Sequence, residues 1–237
     1  MRRVHFQDLG LVDYATAWDY QTKLFQATID RKIANRNLPE DQQVPTEDRL
    51  LFVEHPHVYT LGKSGKQSHL LLNEAEMREK GVQFFPIDRG GDITYHGPGQ
   101  LIVYGIIGLR ERGLGALDYL AGLEEAVIRA AGDLGIEAGR SPAGRGVWAS
   151  GGKMASVGIN VRRGVTMHGI AWNVSADLAN FELINPCGMS DIRMASISGE
   201  CGRAVSLAEA AGGFLRQLSA GLGWELERAA LPPAMAP

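Results

Sequence analysis

Apolar and polar positions follow two rhythms along this chain, and the change from one to the other marks out its elements. Residues 4–6 are short and β-like, and from Asp13, an N-cap residue type, Tyr14, Ala17, Trp18, Leu24 and Phe25 fall on one face at helical spacing. That periodicity predicts a helix to about Ile29. Residues 30–49 are polar, contain Pro39 and Pro45, and read as a surface loop or insertion. The apolar runs 50–53 and 58–61 predict buried strands joined through His55-Pro56-His57. A helix is expected over 73–80, closed by Gly81, followed by a strand over 82–87.

The second half continues the mixture. Residues 101–107 form a long apolar strand pattern, and Leu117, Leu120, Leu123, Val127, Ala131 and Leu134 step by three and four along a helix over 116–134. Three β segments follow, at 147–150, 153–161 and 165–174. The first pair is joined by a Gly151-Gly152 hairpin loop and the second by Arg162-Arg163-Gly164. A short strand is expected around 195–198. A last helix opens at Ser206-Leu207-Ala208-Glu209, in capping-box spacing, and runs to about Leu222. Hairpins outnumber strand-helix-strand units. The fold class is therefore α+β, a central mixed or antiparallel sheet flanked by helices, in one domain over residues 1–237.

Composition narrows the function. The 237 residues carry 24 Lys and Arg against 27 Asp and Glu, with 45% hydrophobic residues, which excludes disorder of the whole chain. The slight acidity argues against general nucleic-acid binding, and no apolar run is long enough to span a membrane. Lys63, Lys66, Arg140, Arg145, Arg162 and Arg163 form either a solvated surface or a face for an acidic partner. Two cysteines without a signal-sequence pattern read as reduced thiols in a cytoplasmic protein. Of 30 glycines, 23 fall between Gly81 and Gly202, so the middle of the chain needs backbone freedom or close approach.

Several chemistries fail on spacing. There is no G-x-x-x-x-G-K-[ST] phosphate loop, and Gly97-Pro98-Gly99 runs into a strand where a dinucleotide fingerprint needs a helix. No H-E-x-x-H, Cys/His cluster or G-x-S-x-G appears, so neither a metal site nor a serine nucleophile is expected. Cys187, in Pro186-Cys187-Gly188, is then either a small buried apolar residue or a nucleophile whose glycine neighbour lets an acyl group approach. Lys153 opens a strand among small apolar neighbours. It either snorkels to water or is held with a pKa lowered by desolvation. His96 and His168 are structural hydrogen-bonding residues or general bases. Arg89 neutralises an acidic substrate group or pairs with Asp88 or Asp92.

Four stretches together resemble a known family. Arg89-Gly90-Gly91-Asp92-Ile93-Thr94-Tyr95-His96-Gly97-Pro98-Gly99-Gln100-Leu101 is similar to the signature loop of the lipoyl(octanoyl) transferases. It is joined in the family's order by Gly152 to Gly158, by His168-Gly169-Ile170-Ala171-Trp172-Asn173-Val174 and by Asn185-Pro186-Cys187-Gly188-Met189. The resemblance implies the fold of the biotin and lipoate protein ligases and an octanoyltransferase that needs no cofactor. Its donor would be octanoyl-acyl carrier protein. Its acceptors would be lipoyl domains of 2-oxoacid dehydrogenases and the glycine cleavage H protein. It further implies that Cys187 carries the octanoyl thioester and that Lys153 lowers the thiol's pKa and relays protons. Residues Arg89, Gly90, Gly91, Asp92, Ile93, Thr94, Tyr95 and His96, with Ser156, Val157, Gly158, Gly169, Ile170 and Ala171, would line the acyl pocket. Where many members have a Thr-Ser-Leu run after the cysteine, this chain has Met194-Ala195-Ser196-Ile197. An ATP-dependent lipoate ligase is the alternative within the same fold, and a non-catalytic homologue that holds a lipoyl domain or an acyl carrier is the alternative outside catalysis.

Overall fold

The structure is a computed structural model and describes residues 3–185 and 192–231. Its centre is an eight-stranded mixed sheet in the order β11-β1-β2-β6-β10-β9-β8-β7. These strands are β1 (Arg3–Leu11), β2 (Asp48–Glu54), β6 (Gln100–Ile106), β7 (Gly139–Ser141), β8 (Gly144–Ala149), β9 (Gly152–Arg162), β10 (Val165–Asn173) and β11 (Glu225–Arg228). β1 pairs parallel with β2 and β11, and the other neighbours are antiparallel. A second sheet has the order β4-β3-β5, from β3 (Val58–Leu61), β4 (Gln83–Pro86) and β5 (Ile93–His96).

Both faces of the large sheet are covered, which is why its central strands are buried at nearly every position and mostly apolar. On β2 and β6, Leu50, Phe52, Leu101 and Val103 pack toward α3 (Ala116–Gly132) and α5 (Leu207–Leu222), against Leu123, Val127, Phe214 and Leu218. The alternate residues Leu51, Val53, Ile102, Tyr104 and Ile106 pack toward α1 (Tyr14–Asn35), against Ala17, Phe25 and Ile29. Side-chain caps hold three helix starts, two of them, Asp13 and Ser206, as read from the sequence. Asp13 accepts from Thr16 N–H at 2.9 Å, Asn73 caps α2 (Glu74–Glu79) and Ser206 accepts from Glu209 N–H at 3.1 Å.

Three expectations need correction. Residues 30–49 are not one loop: α1 runs on to Asn35, and Asp48 and Arg49 already belong to β2. The apolar stripe fades after Ile29, but an exposed helical end needs no stripe to keep its backbone bonded. Asp48 is 3% exposed and holds Gly108 N–H at 2.7 Å and Arg112 Nε at 2.6 Å, so its polarity serves the interior. Residues 197–200 form a short helix, α4 (Ile197–Glu200), where a strand was expected. Ser196 caps it by accepting from Gly199 N–H. Ala149 pairs with Gly152, so the first hairpin loop is Ser150-Gly151, one residue earlier than read. The second loop is Arg163-Gly164, with φ of +52° and +72°, the mirror-image turn that suits strand twist.

Candidate active site

A cavity of about 230 Å³ lies over the α1-facing side of the large sheet. The register explains why space exists there. Across β9, β10 and β6 one row is Ser156, Ala171 and Ile102, and the next is Gly158, Gly169 and Tyr104. On β9 and β10 these side chains are small or missing, so the floor is low; at β6 it rises into Ile102 and Tyr104. The roof is the stretch from Ile87 through β5, with Tyr14 from the first turn of α1.

Floor and roof touch. Gly90 N–H donates to the Ile159 carbonyl at 3.0 Å, and a Cβ placed on Gly158 would lie 2.7 Å from the Gly90 carbonyl oxygen. Glycine is needed here for close approach, not for φ. Arg89 fixes the same roof. Its Nη2 donates to the Thr60 carbonyl at 2.7 Å and to Thr60 Oγ1 at 2.9 Å, and Nη1 donates to the Gly90 carbonyl at 3.1 Å. Burial pulls its pKa below the ordinary guanidinium value. Asp88 and Asp92 are engaged elsewhere. Asp88 accepts from His168 Nε2 at 2.8 Å and from Asn160 at 2.5 Å, and Asp92 accepts from His69 Nδ1 at 2.6 Å and from Ile93 N–H at 2.6 Å.

Arg89 apart, the closed end is polar but neutral. His55 Nδ1 donates to the Val12 carbonyl at 2.6 Å, which leaves Nε2 to accept the Tyr104 hydroxyl at 2.8 Å. Burial drops the pKa of His55 to about 4. His96 donates through Nδ1 to Gln100 Oε1 at 2.7 Å, and burial, with the neighbouring His55 adding to it, lowers its pKa to about 3. His168 is lowered by burial despite its bond to Asp88, while that bond draws the Asp88 carboxyl below the usual carboxylate range. It also holds φ of +64°, a costly conformation for a non-glycine residue that its two bonded neighbours, Asp88 and the Gln21 side chain, keep in place.

The open end differs. Ala143, Gly144 and Arg145 are exposed, and Lys153 is half-buried at the start of β9. Its Nζ lies 5.7 Å from the centre of the Trp148 ring, a cation–π distance. Its backbone is clamped to the segment that follows Cys187. Lys153 N–H donates to the Arg193 carbonyl at 2.8 Å, and Ala195 N–H donates to the Lys153 carbonyl at 3.0 Å. Gly152, at φ +139° with the Arg193 carbonyl against it, is what admits this crossing. On the other side of Cys187, Asn185 N–H donates to the His69 carbonyl at 2.8 Å. Cys187 itself lies outside the described residues.

Of the residues expected to line an acyl pocket, all but Tyr95 contribute to the lining of this cavity together with Lys153. Val157 and Ile170 nevertheless send their side chains into the core on the α3 and α5 side, and Ile93 packs in one cluster with Tyr95. Tyr95 alternates to the other side of β5, where it packs on Tyr59 and Phe181 and its hydroxyl meets His57 Nδ1 at 2.6 Å. Sequence reasoning missed Tyr14, Ile102, Tyr104, Arg145 and Phe181 on the lining. Tyr14 and Ile102 were readable as apolar positions, but nothing local distinguishes a core position from a cavity wall.

The comparisons with known proteins fit this arrangement. Residues 13–219 match the family model of the lipoyl protein ligase A/B catalytic domain. The chain belongs to that family. A curated octanoyltransferase of Cytophaga hutchinsonii is 46% identical over 225 residues, 92% of each chain, and one of Bacteroides fragilis is 43% identical over 91% of this chain and 96% of its own. An acyltransferase assignment follows from these relatives. Among solved structures, a putative lipoate protein ligase of Thermoplasma acidophilum superposes with a TM-score of 0.70 at 16% identity, covering 98% of this chain and 90% of that one. A lipoate-protein ligase A bound with ATP gives 0.68 at 15% identity over 99% and 90%. These likenesses show the fold, a mixed sheet flanked by helices. No helix among the described residues is long and apolar enough to cross a membrane.

Proposed function

We propose that this family member transfers an octanoyl group from octanoyl-acyl carrier protein to a lysine of a lipoyl domain, through a thioester on Cys187. The observation that carries the reading is the largely apolar cavity with Lys153 at its open end, clamped through its backbone to the segment just beyond Cys187. The octanoyltransferase relatives support the same acyl group. An alkyl chain gains roughly 0.8 kcal/mol for each methylene it buries, so an apolar cavity selects it without a charged partner.

In this mechanism the Cys187 thiol passes its proton to the Lys153 amine, giving a thiolate–ammonium pair, and the thiolate attacks the donor's carbonyl carbon. The carbonyl re-forms as the carrier's sulfur leaves, taking a proton from the Lys153 ammonium, and one thioester has replaced another. Lys153, now neutral, accepts a proton from the acceptor lysine as its nitrogen attacks the enzyme thioester. The amide forms and the Cys187 sulfur is released. The ammonium also favours thiolate in the resting enzyme, since the ordinary thiol titrates near 8.5. Acceptors of this chemistry are the lipoyl domains of 2-oxoacid dehydrogenases and the H protein of glycine cleavage.

Intact mass spectrometry after incubation with octanoyl-acyl carrier protein tests the reading. An octanoyl adduct on the native chain that is absent from Cys187→Ala is the expected result. Transfer that needs ATP and survives Cys187→Ala would replace the transferase by a ligase.

A further inference from the structure

The two ends of the cavity are built unequally, and the difference bears on which acyl chains fit. This step rests on the transferase reading above. Exposure falls from the β8–β9 edge, where Arg145 is open to solvent, to β6, where Ile102 is 1% and Tyr104 4% exposed, with Tyr14 at 2% above them. A chain whose carbonyl sits at Lys153 therefore points its methyl end across β10 toward β6. On that path it crosses Ala171 and then meets Ile102 in the same row, or crosses Gly169 and meets Tyr104 in the next.

We infer that Ile102 and Tyr104, with Tyr104 clasped by His55, form the stop that sets the longest acyl chain this enzyme accepts. Two features make the stop hard. Tyr104 cannot swing aside without breaking its bond to His55 Nε2, and His55 is itself tied to the Val12 carbonyl. Breaking that link strands buried polar groups, which costs more than a methylene gains. Behind Ile102 the strand is paired on both edges, by β2 and β10, so the backbone cannot retreat either. Ala171, one strand nearer Lys153, is then the residue whose enlargement would shorten the usable space.

The test uses the full chain and its Ile102→Ala, Ala171→Val and Tyr104→Phe variants with hexanoyl, octanoyl, decanoyl and dodecanoyl carrier proteins, and measures kcat/KM for each. In Ile102→Ala the decanoyl-to-octanoyl ratio should rise about fifteenfold, the gain for two newly buried methylenes at about fourfold each. Ala171→Val should raise the hexanoyl-to-octanoyl ratio instead, and Tyr104→Phe should raise the decanoyl ratio by less than Ile102→Ala. Ile102→Val replaces Ile102→Ala if the latter does not fold. Dissociation constants of free fatty acids of the same lengths separate the stop from the transfer chemistry. Ratios unmoved in all variants while transfer persists overturn the stop and leave the transferase standing. Fatty-acid affinities that shift in the stated order without any transfer keep the stop and overturn the transferase.

Discussion

The two ends of the cavity solve opposite electrostatic problems. At the open end, Lys153 is half-buried beside the Trp148 face, on a lining it shares with exposed Arg145, and ring and solvent access help keep an ammonium ion tolerable. At the closed end His55, His96 and Tyr104 are buried and uncharged, His55 bonded to Tyr104 and the Val12 carbonyl and His96 to Gln100. Arg89 is the exception there, a buried cation spread over carbonyl and hydroxyl oxygens of Thr60 and Gly90. The contrast teaches where proton chemistry can occur. A group that must gain and lose a proton needs access to solvent or to a partner, whereas groups that only shape space are held neutral.

The comparison breaks most sharply at Lys153. Lys153→Ala should lower transfer at neutral pH by roughly 10²–10⁴-fold, the usual worth of a positioned general acid and base. Lys153→Arg should recover little, because a guanidinium keeps its proton. Single-turnover rates check both, and the urea midpoint should move little because the side chain is half-exposed. A rate within threefold of the native enzyme in Lys153→Ala would place the proton relay elsewhere.

Next in size is the contact between floor and roof. In Gly158→Ala the new methyl would meet the Gly90 carbonyl at 2.7 Å, and backbone must shift because neither partner is a flexible side chain. We expect a stability loss of about 1–3 kcal/mol, typical of overpacking, together with a raised KM. Denaturant unfolding and steady-state kinetics measure the two. A change in stability with no change in KM would mean that the 87–92 stretch does not act as the roof of the binding space.

Much of this was legible because it is local. β6 and the β9–β10 hairpin announce themselves as apolar runs with a glycine turn, and Asp13, Asn73 and Ser206 mark helix starts by their own side chains. What escaped was either short or tertiary. β7 has three residues and β11 is Glu-Leu-Glu-Arg, a polar edge strand with no periodicity to read. Ser196 gave a usable capping signal for α4 that was read as strand. Tyr95 was placed in the pocket with its neighbours because a motif is linear, whereas a strand sends alternate residues to opposite sides. Ile102 and Tyr104 were hidden for the converse reason. Their partners Ala171 and Gly169 lie on another strand, and only the register shows that small residues end against large ones.

The effect that is smallest at neutral pH concerns the neutral groups of the closed end and follows from pH alone. In the unfolded chain a histidine titrates near 6.5, but burial holds His55 at about 4 and His96 at about 3. Between those values the unfolded state binds protons that the native state refuses, so stability rises with pH across the window. It is fully present above about 6.5 and is lost progressively on acidification toward the two native values, at a limiting slope of roughly 1.4 kcal/mol per pH unit for each group. Urea unfolding from pH 7 down to pH 4.5 should show this decline, and His55→Gln should remove the share of His55, leaving that of His96 and His168, while weakening the clasp on Tyr104. A slope unchanged in that variant would mean that His55 takes up its proton in the folded enzyme. The closed end would then carry charge as the open end does, and the division between chemistry and shape would fail.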